Sequence, residues 1–270
     1  MSVWRLALTR RWLGYLAVAV VFAVVTSLFG LWQWDRREQA VEEISRITTN
    51  SSQTPVPFEQ LLPPDREWDP SLKWRPVELT GEYRSDETLL VRTRPRSGQV
   101  GFAVLVPFRT VSGHVVVVDR GWIPTGTTGD APDLIPEPPE GAVTLVATVF
   151  PGEPEVPGRS APEGQIATIH LPTVEQVTGL PVDKRAYLQM VRESPDVTPR
   201  PLPPLAPVLD EGPHLSYSLQ WFLFGLLGFF AWGYLLRQEH LRTQGLPVQK
   251  ERRRRSDADE EDDLLDRTSR

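Results

Sequence analysis

Two long apolar stretches, one near each end of the chain, constrain this sequence more than any other feature. The first covers residues 12–34 and the second residues 214–236, and neither contains aspartate, glutamate, lysine or arginine. A helix needs about 20 consecutive apolar residues to cross the hydrocarbon core of a bilayer. The two stretches therefore predict two transmembrane helices.

The first stretch follows Arg5, Arg10 and Arg11, as the apolar core of a secretory signal would. It is too long for such a core, and its end lacks the small residues of a cleavage site. The one Ala-x-Ala pattern, at residues 17–19, lies inside the stretch. We therefore expect an uncleaved anchor, which the amphipathic residues 35–46 continue as a helix into water.

Basic residues outside the two stretches set the expected orientation. Cytoplasmic segments of membrane proteins carry an excess of lysine and arginine. We therefore expect residues 1–11 and 237–270 to be cytoplasmic and residues 35–213 to form an extracytoplasmic domain, in a multi-pass protein of the cell (plasma) membrane. The basic residues are Arg5, Arg10, Arg11, Arg237, Arg242, Lys250 and the run 252–255.

Between the two stretches, segments rich in β-branched and aromatic residues alternate with turn residues, which is typical of β-strands. Ser112-Gly113 suits a tight hairpin turn, and the apolar run 115–118 indicates a strand covered on both faces. Residues 173–178 are predicted to form a short helix that Gly179 ends. The predicted strands are residues 77–83, 88–93, 102–110, 115–122, 143–150, 166–170 and 187–191.

Small residues recur along each apolar stretch and predict that the two helices pack together. Small side chains let two helix backbones approach closely within a bilayer. The expected fold is an α+β membrane protein in which two antiparallel transmembrane helices flank a mainly antiparallel β-sheet or partly open barrel. The small residues are Ala19, Ala23, Ser27 and Gly30 in the first stretch and Gly225 and Gly228 in the second.

Prolines, of which the chain has 27, separate the predicted strands. Residues 123–141 and 151–164 are predicted to be surface loops. Residues 195–213 are predicted to form an extended, semi-rigid strut that leads back to the membrane. The tail after the second stretch turns basic and then acidic, and we expect it to be disordered and to touch anionic lipid.

Composition and motifs exclude several classes of function. The chain has no cysteine, which excludes a disulfide framework, a thiolate metal site and a cysteine-based copper carrier. Its formal net charge of -6 argues against nucleic acid as a partner. It has no nucleophile elbow, phosphate-binding loop or paired-histidine motif, so we expect neither an enzyme nor a metal site. For Asp119 and Arg120, which leave a predicted buried strand, a structural salt bridge is favoured over acid–base chemistry.

The best candidate for a site is the polar start of the second apolar stretch. His214, Tyr217 and Trp221 share one helix face, and Gln220 is expected to face a neighbouring helix. One interpretation is a membrane-interface histidine within an aromatic belt that includes Trp32. The other is an axial haem ligand, with Tyr217 and Trp221 as walls of the haem site.

Short pieces of sequence, in order and at matching spacing, make the chain similar to a known family. It resembles the surfeit-locus family of cytochrome c oxidase biogenesis proteins from the first apolar stretch to the end of the second. The pieces are Gly30-Leu31-Trp32-Gln33 with Arg36; Arg75-Pro76-Val77; Gly81-Glu82-Tyr83; Gly101-Phe102 before Pro107; Asp119-Arg120-Gly121-Trp122; and Pro213-His214-Leu215-Ser216-Tyr217 with Gln220-Trp221.

The resemblance implies a role in assembling haem–copper oxidases, through haem a insertion or maturation of the catalytic subunit. It also implies that His214 binds haem a transiently, and that the partners are the oxidase catalytic subunit or its assembly intermediate, together with membrane lipid. Residues expected to pack against partners or the other helix are Gly30, Trp32, Gln33, Arg36, Gln220, Gly225 and Gly228, and residues expected to hold the domain are Arg75, Gly81, Tyr83, Arg120, Gly121 and Trp122.

Two other functions remain open from the sequence. The chain could be a stable accessory subunit of a respiratory oxidase, in which the aromatic belt contacts lipid and neighbouring subunits. A membrane-tethered hydrolase would need catalytic residues brought together from distant positions, because no local nucleophile–base motif is present.

Overall fold

The computed structural model describes residues 2–127 and 131–245, which form two compact units. The helical unit lies within residues 1–39 and 211–270, and the β unit is Ala40–Asp210. Most of the predicted disordered tail, from residue 246 onwards, lies outside the described residues.

Two long helices dominate the helical unit. After the short α1 (Val3–Ala7), α2 is continuous from Arg10 to Ser51, so the amphipathic residues 35–46 do continue the first helix, as predicted. The second long helix, called α5 below, is His214–Thr243. Both helices are long and apolar enough to cross a bilayer, which fits a membrane protein.

The two helices are antiparallel within this unit and meet along their small residues. Gly225 lies against Ala23 and Thr26, and a Cβ on Gly225 would stand 2.8 Å from the Thr26 hydroxyl oxygen. A Cβ on Gly30 would stand 2.9 Å from the ring of Phe222. The predicted close packing through glycine is therefore present, with Thr26, which is almost fully buried, at the position expected for Ser27.

Hydrogen bonds fix the register of this helix seam. The hydroxyl of Ser218 donates to the carbonyl oxygen of Gly30 over 2.9 Å. At the opposite end of the pair, the indole N–H of Trp232 donates to the carbonyl oxygen of Trp12 over 3.2 Å. Polar groups surrounded by apolar side chains need such partners, so these bonds oppose sliding of one helix along the other.

The β unit is a partly closed barrel of five strands with additional strands at its edges. The sheet order is β1-β2-β6-β8-β5-β4-β3-β7, and a further pairing of β2 with β4 closes the ring β2-β6-β8-β5-β4. Most neighbours are antiparallel, but β5 and β8 are parallel. The strands are β1 (Val56–Pro57), β2 (Pro76–Tyr83), β3 (Leu89–Arg96), β4 (Gln99–Thr110), β5 (Val115–Pro124), β6 (Val143–Phe150), β7 (Gln165–Ile166) and β8 (Val182–Ser194).

Short helices complete this unit, and one of them covers the short helix predicted at residues 173–178. The helix α3 is Phe58–Leu61, and α4 is Leu171–Thr178, which ends at Gly179 in a left-handed conformation with φ 66°. Short 3₁₀ turns lie at Pro70–Leu72 and Ser85–Glu87. The predicted hairpin turn is also present, with Gly113 at φ 89° between β4 and β5.

The prediction of a strand over residues 166–170 is wrong beyond Ile166. The backbone N–H of Ile169 donates to the carboxylate of Glu153 instead of to a neighbouring strand, and α4 starts at Leu171. The strand predicted at residues 187–191 extends from Val182 to Ser194, because its first residue already pairs with Val115.

Two hydrophobic clusters explain the continuous apolar run in β5. Val116 and Val118 belong to the cluster that also holds Leu145 and Leu188 of β6 and β8. Val115 and Val117, which point to the opposite face of the strand, belong to a second cluster that α4 covers. The strand is therefore buried on both faces, as the sequence predicted.

Candidate functional site

The candidate site lies at the start of α5, where the sequence places its polar residues. Pro213 precedes His214, the first residue of the helix, and proline is tolerated there because the first helical N–H groups have no intrahelical partner. Nδ1 of His214 lies 2.9 Å from Oε1 of Gln33 on α2. A side-chain amide oxygen only accepts hydrogen bonds, so Nδ1 donates and carries the ring proton.

The other nitrogen of the His214 ring is left with its lone pair. In a neutral imidazole one nitrogen is protonated and the other is an acceptor or metal ligand. Among the described residues, Nε2 has no hydrogen-bond partner. Gly212 lies beside the ring, and a Cβ there would stand 3.4 Å from Nε2. A histidine with its Nδ1–H bound and Nε2 available is in the form that ligates iron, so these residues fit an axial haem ligand.

The two aromatic residues predicted to wall this site differ in their surroundings. The ring of Trp221 stacks on Phe29 of α2, with centroids 5.0 Å apart and planes at 29°. One face of the indole is therefore already covered. Tyr217 lies beside the seam and is half exposed. The structure thus joins His214 to Gln33, places Trp221 against Phe29 about two turns further along α5 and leaves Tyr217 half exposed, while their haem-binding role stays a prediction.

The remaining predicted contact residues of the helical unit lie at its surface. The guanidinium of Arg36 lies over the ring of Trp32, 5.9 Å from its centroid, and donates to Gln39. Trp32 and Gln220 are exposed. They are therefore available to lipid or to another protein, and the aromatic-belt interpretation of Trp32 stays open.

A buried ion pair lies at the centre of the β unit. The guanidinium of Arg120, which is fully buried, contacts the carboxylate of Glu193 and also donates to the carbonyl oxygen of Pro136. The hydroxyl of Tyr83 donates to the same carboxylate over 2.8 Å. Burial, followed by the charge of Glu193, raises the pKa of Tyr83, so its hydroxyl stays protonated and acts as a donor. A structural salt bridge was expected here, and its acid is Glu193 and not Asp119.

Gly121 and Trp122 receive the proline-rich segment. Gly121 has φ 130°, and a Cβ there would stand 2.4 Å from the carbonyl oxygen of Leu202. The backbones of Trp122 and Leu202 exchange two hydrogen bonds of 2.8 Å. The indole N–H of Trp122 donates to the carbonyl oxygen of Arg94. The segment predicted to be a strut is therefore bound to the barrel at Leu202.

Asp119 is a buried carboxylate in a small cavity of this unit. It accepts a hydrogen bond of 3.0 Å from the backbone N–H of Gly121, and a further one comes from Gln189. Burial raises the pKa of Asp119 to about 6, although the bond from Gly121 and the charge of Arg94 act in the opposite direction. The cavity has a volume of about 200 Å³ and is also lined by Glu153.

The two other motif residues of the β unit have different surroundings. A Cβ on Gly81 would stand 2.0 Å from the carbonyl oxygen of Arg109, so a residue without a side chain is needed where β2 meets β4 to close the barrel. Nε of Arg75 is buried and has no hydrogen-bond partner among the described residues. The backbone of Arg75 accepts from Val149 at the start of β2.

No group of three or more histidine, aspartate and glutamate side chains that could hold a metal ion occurs in residues 2–127 and 131–245.

Comparison with known proteins gives the context for these residues. A family model described as the SURF1 family matches residues 20–226, which include the barrel and the part of the helix seam from Ala23 and Gly225 to Gln33 and His214. The chain belongs to the SURF1 family. An uncharacterised SURF1-like protein of Mycobacterium bovis is 34% identical over 235 residues, covering 84% of this chain and 84% of that protein.

Other members of the SURF1 family are more distant. A SURF1-like protein of Rickettsia bellii is 22% identical over 249 residues, covering 86% of this chain and 93% of that protein. The cytochrome oxidase assembly protein SHY1 of Saccharomyces cerevisiae is 28% identical over 113 residues, covering 40% of this chain and 28% of that protein. The family resemblance expected from the sequence is thereby confirmed.

Three residues that contact the predicted motif residues were missed in the sequence. Glu193 lies in a polar stretch at the end of β8, where a charged residue predicts exposure. Leu202 lies between prolines, and Phe29 is one of many apolar residues in its stretch. No spacing or periodicity singles them out, because their partners lie far away in the sequence.

Proposed function

We propose that this protein is an assembly factor for a haem–copper cytochrome c oxidase and assists haem a insertion or maturation of the catalytic subunit at the outer face of the membrane. Membership of the SURF1 family supports the oxidase-assembly role, as does the name of the yeast relative, a cytochrome oxidase assembly protein. The observation that carries the finer proposal is the bond between His214 and Gln33, which leaves Nε2 of the histidine available as a ligand.

In this proposal the helical unit holds the cofactor and the protein is not an enzyme. Haem, when bound, supplies an iron atom that accepts an axial nitrogen ligand. His214 offers Nε2 to that iron, and Gln33 keeps the ring oriented through Nδ1. Tyr217, half exposed beside the seam, provides an aromatic surface next to the ligand. With His214 as the one proposed ligand, the protein binds its cargo weakly enough to release it.

The proposed orientation follows from the charges that flank the helices. We place α2 and α5 across the plasma membrane with both termini in the cytoplasm, because arginines precede α2 and follow the apolar part of α5. The β unit then lies outside the cytoplasm, where its surface contacts loops of the oxidase catalytic subunit. Trp32 and Trp34, at the outer end of the apolar part of α2, contact the lipid interface.

The proposal is tested on membranes from cells with and without the gene. We expect deletion to reduce or distort the a-type haem signal in the reduced-minus-oxidised absorbance spectrum, and the intact gene to restore it. His214→Ala should fail to restore the signal, because it removes the axial ligand. The matched control is His240→Ala, which removes the other histidine of α5, near the opposite end of the helix.

Two results would contradict the proposal. An unchanged spectrum after deletion would mean that oxidase maturation does not depend on the protein. Full restoration of the a-type haem signal by His214→Ala would contradict the ligand role of His214 but not the role of the protein in oxidase assembly. Recovery of the protein in stoichiometric amounts with fully active oxidase would instead favour a stable accessory subunit.

A further inference from the structure

The hydrogen bond between His214 and Gln33 joins residues that are 181 positions apart in the chain and belong to different helices. It involves the first residue of α5. Because Nδ1 must donate to the amide oxygen, the bond selects one of the two neutral forms of the ring. Free imidazole rings exchange between these forms, so the contact has a chemical consequence for His214.

We propose that Gln33 is the positioning residue of His214, which fixes the ring in the form that is protonated on Nδ1 and turns Nε2 outward as the ligand nitrogen. Histidines that bind metals usually donate their second ring N–H to a carboxylate, a carbonyl or water, which fixes the tautomer and the ring orientation. Here the side-chain amide of Gln33, on the neighbouring helix, accepts that hydrogen bond. The inferred tautomer is independent of the proposed function, whereas the expected effect of Gln33 on haem binding rests on the proposed role of His214 as a ligand.

The packing one turn below supports the assignment, because it determines which residue of α2 faces His214. Ser218, one turn after His214, donates to the carbonyl oxygen of Gly30, which lies three residues before Gln33. A Cβ on Gly30 would stand 2.9 Å from the ring of Phe222, so a larger residue at this position would have to displace that ring. A shift of the register by one turn would separate Gln33 from the ring. The ligand form of His214 therefore depends on the correct pairing of the two helices.

The neutral amide of Gln33 also affects how strongly His214 would bind haem iron. A carboxylate in place of the amide would make a charge-assisted bond and a more electron-rich imidazole. Such a ligand would hold ferric iron more tightly, which suits a permanent cofactor. An amide orients the ring without that gain, which suits a protein that releases its haem.

The tautomer is measured first, without any haem. The full chain is labelled with ¹⁵N-histidine, placed in lipid nanodiscs at pH 8, and compared with His214→Ala to assign the signal. We expect one protonated and one unprotonated nitrogen, with the proton on Nδ1. Gln33→Ala should shift both signals toward the averaged positions of a free imidazole, and Gln33→Glu should retain the wild-type pattern. The control is Gln220→Ala, an exposed glutamine of α5.

Binding is measured next, with hemin as the probe. We expect Gln33→Ala to raise the Kd for hemin about 10- to 100-fold, the usual cost of losing the residue that orients a metal-binding histidine. Gln33→Glu should lower the Kd and shift the midpoint potential of bound hemin to a more negative value. Gln220→Ala should leave both quantities unchanged.

The two measurements separate the failure of this inference from the failure of the proposed function. Unchanged ¹⁵N signals in Gln33→Ala, with the helical content of the wild type, would overturn the positioning role. Equal hemin binding by wild type and His214→Ala would overturn the ligand role, while the tautomer result would still decide the role of Gln33. If Gln33→Ala shifts the ¹⁵N signals but leaves the Kd for hemin unchanged, the proposed dependence of hemin affinity on the tautomer of His214 would be overturned.

Discussion

Arg120 shows how a charged residue can be buried in the interior of the β unit. Its guanidinium is fully buried and contacts Glu193, and the ring of Tyr83 lies 5.3 Å from the guanidinium carbon. Taking two charges out of water is costly, and the pair is tolerated because Arg120 also donates to the carbonyl oxygen of Pro136 and Glu193 also accepts from Tyr83. The geometry therefore predicts that removing one member is worse than removing the charge of both.

Substitution of the pair tests this expectation. Arg120→Met should lower the free energy of unfolding by about 3–5 kcal/mol, because it leaves the carboxylate of Glu193 buried without a cation. Arg120→Met combined with Glu193→Gln should regain most of the loss, since no charge remains and Tyr83 keeps an acceptor. Denaturant unfolding of the solubilised chain measures both. A double variant as unstable as the single one would show that packing, and not charge, dominates.

Asp119 gives the β unit a pH dependence whose sign follows from its surroundings. Burial raises the pKa of Asp119 to about 6 from an ordinary value of 3.8, so the folded state binds the proton more tightly than the unfolded state. Stability from this group is therefore present below about pH 4 and is lost as the pH rises through about 6. The loss is on the order of 2–3 kcal/mol.

Asp119→Asn should remove this dependence. Asparagine still accepts from the N–H of Gly121 and stays neutral, so the variant should be more stable than the wild type above pH 7 and equal to it near pH 4. Thermal unfolding across this pH range is the measurement. Asp196→Asn, at an exposed ion pair with Arg200, should show no such pattern. A gain that is the same at every pH would contradict the explanation.

The pairing of α2 with α5 depends on close approach at a few glycines. Thr26 and Gly225 form the tightest of these contacts, because the hydroxyl oxygen of Thr26 lies 2.8 Å from where a Cβ would stand on Gly225. That separation suits the short sulfur-to-Cβ distances of a disulfide. The chain has no cysteine, so an engineered pair would have no competing thiol.

A disulfide should therefore form between Thr26→Cys and Gly225→Cys when both are present and membranes are oxidised. It would be detected as a shift in gel mobility that a reductant reverses. Val21→Cys with Gly225→Cys is the matched control, because Val21 is exposed on another face of α2 and should not cross-link. Equal cross-linking of both pairs would mean that the seam is not the one described.

The sequence predicted the secondary-structure elements and their packing faces better than it predicted contacts between residues that are distant in the chain. Length and apolarity were enough for both long helices, and the glycines were enough for the seam between them. Alternation and turn residues located most strands, and the run 115–118 indicated burial on both faces. These signals are local, so they can be seen in one stretch of sequence.

What the sequence missed depends on contacts between distant residues. Glu193 as the partner of Arg120, and Leu202 against Gly121, follow from the strand order and from the path of the proline-rich segment. The bond between Gln33 and His214 needs the correct helix register, in which Gly30 and Gln33 of α2 face Ser218 and His214 of α5. His214 and Gln33 were both singled out in the sequence, but their contact was not.

The place of β8 in the barrel has a consequence for how this chain is made. The strand is the last of the eight in the sequence, yet it lies between β5 and β6 and pairs with both. During synthesis, β5 and β6 each keep an open edge until Val182–Ser194 has emerged. Open strand edges are where unfinished chains join each other. The protein, which we propose assists the assembly of another, is therefore itself exposed to misassembly until the ribosome has synthesised β8.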